Sequence, residues 1–235
     1  MTRKHTRQPG FIVRVALLTL AALTAAGCEG PGFLTYVITG PGKVKARYTL
    51  GHRPTLVIVD DPNRALGDPN YATVVGANVG FQLKHNHALP EPLVVSQDRL
   101  LSLAARMGDD YATTPIDRIG ARLDADQVVY ILVRSVNMRI APGYYQPAAV
   151  VEVKVIDTPT GKRLFPKPGT YPSPRQTPPV QTPPGQTLSV EMKRQALDPG
   201  RHAESILARR LAERIGLEVA QLFYDHDRPD ASPGS

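Results

Sequence analysis

The sequence predicts an α/β (α+β) fold: a mixed, largely antiparallel sheet of about 4–6 strands packed with three to four helices, the last one long. Three observations predict it. Residues 55–60 form a continuous β-branched-rich run ending in an acid, the pattern of a strand buried on both faces, and residues 128–133 are an unbroken apolar run with the strongest strand signal of the chain. Between them, several segments repeat apolar residues at helical spacing behind capping residues. Near the end, Leu207, Leu211, Ile215, Val219 and Leu222 make one stripe with charged residues on the other faces.

The first element is a targeting segment, residues 1–27. Its leader is basic through Arg3, Lys4 and Arg7 and has no acid. Arg14 interrupts the apolar run that starts at Phe11, so the uninterrupted stretch from Val15 to Ala26 is too short for a membrane span, which needs roughly twenty residues. Small residues, Ala25-Ala26-Gly27, precede Cys28, the only cysteine of the 235 residues. A lone cysteine has no disulfide partner and too few companions for a metal site. The run Leu23-Thr24-Ala25-Ala26-Gly27-Cys28 resembles the lipobox of bacterial lipoproteins. That resemblance implies acylation of the Cys28 thiol and cleavage just before it. Ala25 stands where the family usually has leucine. An ordinary secretory signal cut near Ala25 or Ala26 is the alternative. One acyl chain, at about 0.8 kcal/mol per buried CH₂, anchors marginally, whereas two hold stably.

Cleavage also changes the charge. The whole chain is +7, and Arg3, Lys4, Arg7 and Arg14 leave with the signal, so the mature chain is +3. The basic isoelectric point therefore belongs largely to the leader and does not point to nucleic acid.

Residues 28–42 are expected to be a tether around the apolar stretch Phe33 to Ile38, and residues 43–226 a single domain. Within it, residues 43–50 alternate as in a half-buried strand, and residues 55–60 form a fully buried one. Asp68-Pro69 opens a helix to about Asn86, with Tyr71, Val74, Val75, Val79 and Leu83 facing inward; Gly76 and Gly80 inside it suggest close packing. Residues 92–96 read as a short strand, with Ser96 capping a helix from Gln97 to Met107 whose inner face is Leu100, Leu101, Leu103 and Ala104. Thr114-Pro115 opens a helix to Leu123. Residues 127–138 and 149–156 are expected to form a long hairpin with Leu132 buried, joined by the connection Pro142-Gly143-Tyr144-Tyr145-Gln146-Pro147.

Asp157-Thr158-Pro159-Thr160-Gly161 is a turn, and Arg163 to Phe165 the next strand. Residues 166–186 hold eight prolines in 21 residues and are expected to be an extended surface loop. Thr187 to Lys193 resumes as a strand. Asp198-Pro199 caps a final helix from about Gly200 to Tyr224, and residues 227–235 are expected to be a disordered tail.

Three stretches, residues 93–100, 119–133 and 155–162, resemble a group of envelope lipoproteins that includes the curli-secretion lipoprotein and the lipoprotein activators of penicillin-binding proteins. The resemblance covers residues 55–224 apart from the proline stretch. It implies a helix feeding a central strand, then a strand ending in a D-x-x-T-G turn. Curli-type pore formation is not implied, because the chain has no pair of long proline-free alternating hairpins to build a barrel. The resemblance carries over no site residues.

For chemistry, the candidates are few. His85 and His87 stand at a helix end, where termination by cationic groups is the ordinary role. His202 and Glu204 lack the spacing of a zinc-protease helix. No serine sits in a nucleophile elbow. Asp60, Asp61 and Asp68 follow the first buried strand, where acids serve catalysis or, more commonly, turns and caps. Tyr144 and Tyr145 are candidates for contacting a partner, unless they fold back on the sheet. The sequence points to a non-catalytic, lipid-anchored binding or assembly module of the bacterial envelope, at the outer membrane facing the periplasm. Its expected partners are the membrane, through the lipid, and another envelope protein. No metal, cofactor or nucleic acid is expected. The alternative is an envelope hydrolase or solute-binding lipoprotein using the acids after the first strand.

Overall fold

The computed structural model describes residues 43–167, 185–193, 195–196 and 201–227. The signal segment, Cys28, the tether, most of the proline stretch and the tail lie outside the described residues. The chain divides into a unit Lys45–His226 and a second one formed by Met1–Val44 with Asp227–Ser235.

In the first unit, the elements run β1 (Thr55–Asp60), α1 (Pro69–His85), a 3₁₀ turn (Glu91–Leu93), α2 (Gln97–Met107), α3 (Asp110–Thr113), α4 (Ile116–Arg122), β2 (Gln127–Ala141), β3 (Tyr144–Asp157), β4 (Arg163–Phe165), β5 (Gln186–Glu191), β6 (Gln195–Ala196) and α5 (Arg201–Ala220). They build one six-stranded mixed sheet. β1 is parallel to β2, with Thr55 opposite Gln127 and Asp60 opposite Leu132. β3 is antiparallel to β2, and β4, β5 and β6 all pair antiparallel with β3. The expected mixed, largely antiparallel sheet is what the chain forms.

Alternation along the strands divides the core in two. Val57, Val129, Ile131, Val151, Val153 and Val155 face α1 and α5, where they meet Val75, Val79, Leu83, Leu211 and Ile215. Leu56, Ile58 and Val128 face the other way, toward Leu100 and Leu103 of α2 and Ile119 and Leu123 around α4. Each fully buried side chain of this size contributes about 1.5–3 kcal/mol. The anticipated stripe of α5 is buried from Leu207 to Val219, and Asp68 caps α1 by accepting from the Asn70 N–H at 2.8 Å.

Glycines set the spacing between layers. A Cβ on Gly76 would stand 2.8 Å from Oε1 of Gln97, and one on Gly80 would stand 3.2 Å from Val94. The close packing suggested by these two glycines is therefore between α1 and the segment leading into α2.

That segment also explains two corrections. Residues 45–50 do not extend a strand. Their N–H groups at Arg47 and Tyr48 both donate to the Leu222 carbonyl, at 2.8 and 3.1 Å, so this stretch lies along the turn after α5. The outer edge of β1 is taken elsewhere: Val95 donates its N–H to Thr55 at 2.9 Å, and Gln97 donates its side-chain N–H to the Val57 carbonyl at 2.9 Å. The expected strand at 92–96 is accordingly only a 3₁₀ turn and one bridge from Val94 to Thr55, since Pro92 has no N–H to give a ladder.

Smaller differences have equally local causes. Leu101 is 47% exposed, on the outer side of α2. The hairpin turn is only Pro142-Gly143, with Gly143 at φ +74°, a conformation glycine enters freely. The two tyrosines therefore belong to β3 and not to a connection. α5 ends at Ala220, and Leu222 and Phe223 turn back into the core. Leu132 is half-buried, not buried, because its face of the sheet extends past the cover of α2 and α4.

Candidate functional site

The acids after β1 are not brought together. Asp60 accepts a hydrogen bond from the Tyr130 hydroxyl at 2.7 Å. Burial, and next that hydrogen bond, raise the Tyr130 phenol far above its ordinary value. Asp61 accepts from the Ala65 and Leu66 N–H groups at 2.7 and 2.9 Å and so shapes the loop leaving the strand. Asp68 caps α1. Each carboxylate has its own structural partner, the commoner of the two roles expected for them.

On the same sheet face as Asp60 lies a charged cluster that sequence reading missed. Glu152 is buried at the centre of β3. Its carboxylate accepts from Arg134 Nε at 2.9 Å and from the Gly185 N–H, and pairs with Lys154 Nζ at 3.0 Å. Burial pushes this carboxyl up, but the Gly185 N–H, Arg134 and Lys154 outweigh burial and hold it at about 2. Gly185 is needed for that approach, since a Cβ there would stand 2.7 Å from the Val153 carbonyl.

Tyr144 and Tyr145 separate. Tyr144 is 44% exposed, whereas Tyr145 is 2% exposed and points into the structure with the Arg139 guanidinium 5.3 Å from its ring centre. Alternation along β3 forces the split. Tyr145 thus folds back on the sheet, the alternative expected for it. His85 stacks on Phe81 at 5.5 Å, and both border an open hollow of about 580 Å³ with His52, Lys84, His87 and Glu91. Among the described residues, no three His, Cys, Asp or Glu side chains are arranged to hold a metal ion. Glu204 is engaged by Arg139 at 2.8 Å. The His202 side chain and Cys28 lie outside the described residues.

A further concavity is lined mainly by apolar side chains. β1 stops at Asp60, and the chain leaves through the loop shaped by Asp61. β2 continues beyond it. The result is a groove of about 540 Å³ with Val136 and Met138 on its floor, Leu66 and Tyr71 on one side and Ala208 and Leu211 of α5 on the other. Its size and lining suit a ligand or a partner's side chains. Tyr71 is held in place by its hydroxyl, which donates to the Ser205 carbonyl at 3.1 Å. Asp68 and Glu204 stand at the rim. Sequence reading missed this groove. The available signal was the excess length of the alternating run after Val133 over the six-residue β1.

No family model matches the chain, and no curated protein matches it. Among solved structures, it is similar to lipoprotein GNA1162 from Neisseria meningitidis, with a TM-score of 0.41 and 13% identity over 69% of this chain and 97% of that one. It is similar to PelC from Paraburkholderia phytofirmans, solved as a dodecamer, with a TM-score of 0.40 and 9% identity over 78% and 97%. A third likeness is to the hypothetical protein CT253 from Chlamydia trachomatis, with a TM-score of 0.37 and 12% identity over 72% and 97%. At such identities and scores, function is read from this chain's own residues. Among the described residues, no helix is long and apolar enough to cross a membrane.

Proposed function

We propose that the protein is a lipid-anchored, non-catalytic component of the bacterial envelope that binds another envelope protein. The observation that carries the reading is the leader ending in Cys28: a basic start, a short apolar stretch, small residues, and then the only cysteine of the chain. Acylation there tethers the polypeptide while leaving the Lys45–His226 unit in the aqueous space, at the outer membrane facing the periplasm. Two structural features support a binding role. Asp60, Asp61 and Asp68 are spent on separate structural contacts, and the groove beside β2 is lined mainly by apolar side chains.

Labelling cells with a clickable fatty acid tests the anchor. Wild-type protein takes up label and Cys28→Ala does not; label on the variant overturns lipidation at this residue. Crosslinking of the anchored protein in intact envelopes, followed by pull-down, tests the binding role. The expected result is a discrete crosslinked partner, and the bare protein alone overturns the reading.

A further inference from the structure

The geometry points to the outer edge of β2 beyond Leu132, together with the groove beside it, as a docking site for an extended peptide segment of a partner protein, which adds to the sheet as a strand in the track that β1 vacates. The inference rests on the binding role proposed above and names the surface that performs it.

The first observation is a mismatch of lengths. β2 has 15 residues, and β1 pairs only with Gln127 to Leu132. The remaining nine, Val133 to Ala141, have β3 on one side and, among the described residues, no strand on the other. They offer roughly 30 Å of strand edge at about 3.3 Å per residue. An unpaired edge presents backbone N–H and C=O groups ready to pair with another extended chain.

The second observation is the groove. It lies against this edge, on the face where Val136 and Met138 point, and is walled by the loop after β1 and by α5. Alternate side chains of an added strand would enter it, which is how strand addition acquires specificity. The groove therefore selects apolar residues at every second position. Its rim adds a charge preference. Arg139 neutralises Glu204, while the Asp68 carboxylate is engaged by the Asn70 N–H and, among the described residues, by no cation, so the rim is acidic and favours a lysine or arginine at one end of the segment.

The tip of the edge is guarded. The β2–β3 pairing is irregular between Val133 and Ser135 and again after Asn137, and the Asn137 side chain accepts the Arg139 N–H at 3.2 Å. Bulges and occupied donors of this kind discourage indiscriminate edge pairing. Between the two irregularities they leave Ser135 to Asn137, beside the groove, as the stretch for a specific partner.

The test uses the full chain carrying Cys28→Ser, so that lipid does not contribute, and a fluorescently labelled hexapeptide Lys-Val-Thr-Leu-Thr-Val as probe. Three measurements accompany it: a scrambled peptide with the apolar residues adjacent, a version N-methylated at alternate backbone nitrogens, and the protein variant Ala208→Trp, which fills the groove from a half-exposed helix position. Saturable binding of the alternating peptide, at least tenfold tighter than either altered peptide and at least tenfold weakened by Ala208→Trp at an unchanged melting temperature, is expected. Equal binding of the scrambled or the N-methylated peptide overturns strand addition. A dimer in sedimentation that Ala208→Trp dissolves makes a second copy of this chain the occupant and overturns the proposal. Should Ala208→Trp unfold, Met138→Lys on the groove floor replaces it with the same expectation. Envelope crosslinking separates this inference from the broader reading. If Ala208→Trp still captures the wild-type partner, the groove is wrong and the binding role stands; if wild-type protein captures nothing, the binding role itself fails.

Discussion

Gly216 lies against the backbone of Val75: a Cβ built on the glycine would stand 2.9 Å from the Val75 carbonyl oxygen and 2.8 Å from the Cβ of Asn78. This is the crossing of α1 and α5, and Asn78 ties it by donating its side-chain N–H to the Glu213 carbonyl. Alanine is the better helix former by about 1 kcal/mol, yet overpacking against immobile backbone costs about 1–3 kcal/mol. Gly216→Ala should therefore lower the melting temperature by several degrees. A rise in a thermal melt followed by circular dichroism would show that the helices are not this close.

Neighbouring positions on β2 should differ sharply. Ile131 is fully buried between the sheet and the α1–α5 layer, whereas Leu132 is half-buried on the less covered face. Ile131→Ala should cost about 2–5 kcal/mol, and Leu132→Ala clearly less. Denaturant unfolding of the two variants checks the facing. Equal losses, or a larger loss at Leu132, would mean the strand is turned over.

The Glu152 cluster predicts a pH dependence. The carboxyl is held at about 2 in the folded chain against an ordinary 4.5, so its contribution is complete above about 4.5 and is lost as pH falls from there through about 2. Glu152→Gln should melt below wild type at pH 7, and the gap should close on approach to pH 2. A gap that stays constant across this window would show that charge is not what stabilises the site.

The proline-rich stretch is not removable to its ends. Pro166 is buried, and Gly185 donates to Glu152. Residues 168–184, by contrast, are rich in proline and poor in apolar side chains and are expected to add little to the core. Replacing those residues alone with a Gly-Ser connector should leave the melting temperature nearly unchanged. A drop of ten degrees or more would show that they cover core surface.

The sequence by itself determined the elements that depend on local spacing. The β-branched run of residues 55–60, the stripe from Leu207 to Val219 and the Asp68-Pro69 helix start announce themselves because side-chain periodicity and capping act within a few residues. The leader and Cys28 are legible for the same reason: their chemistry is written in consecutive positions. What only the tertiary structure decided is which distant pieces meet. Residues 45–50 have a strand pattern, but the edge they would need is occupied by Val95 and Gln97. Tyr144 and Tyr145 look alike in sequence, yet the two-residue turn places them in a strand whose alternation exposes one and buries the other. The groove follows from unequal lengths: β1 ends at Asp60, β2 runs on, and α5, more than 60 residues later in the chain, supplies the far wall. Local patterns state what each segment can bury, and the lengths and packing of remote elements decide what is left uncovered.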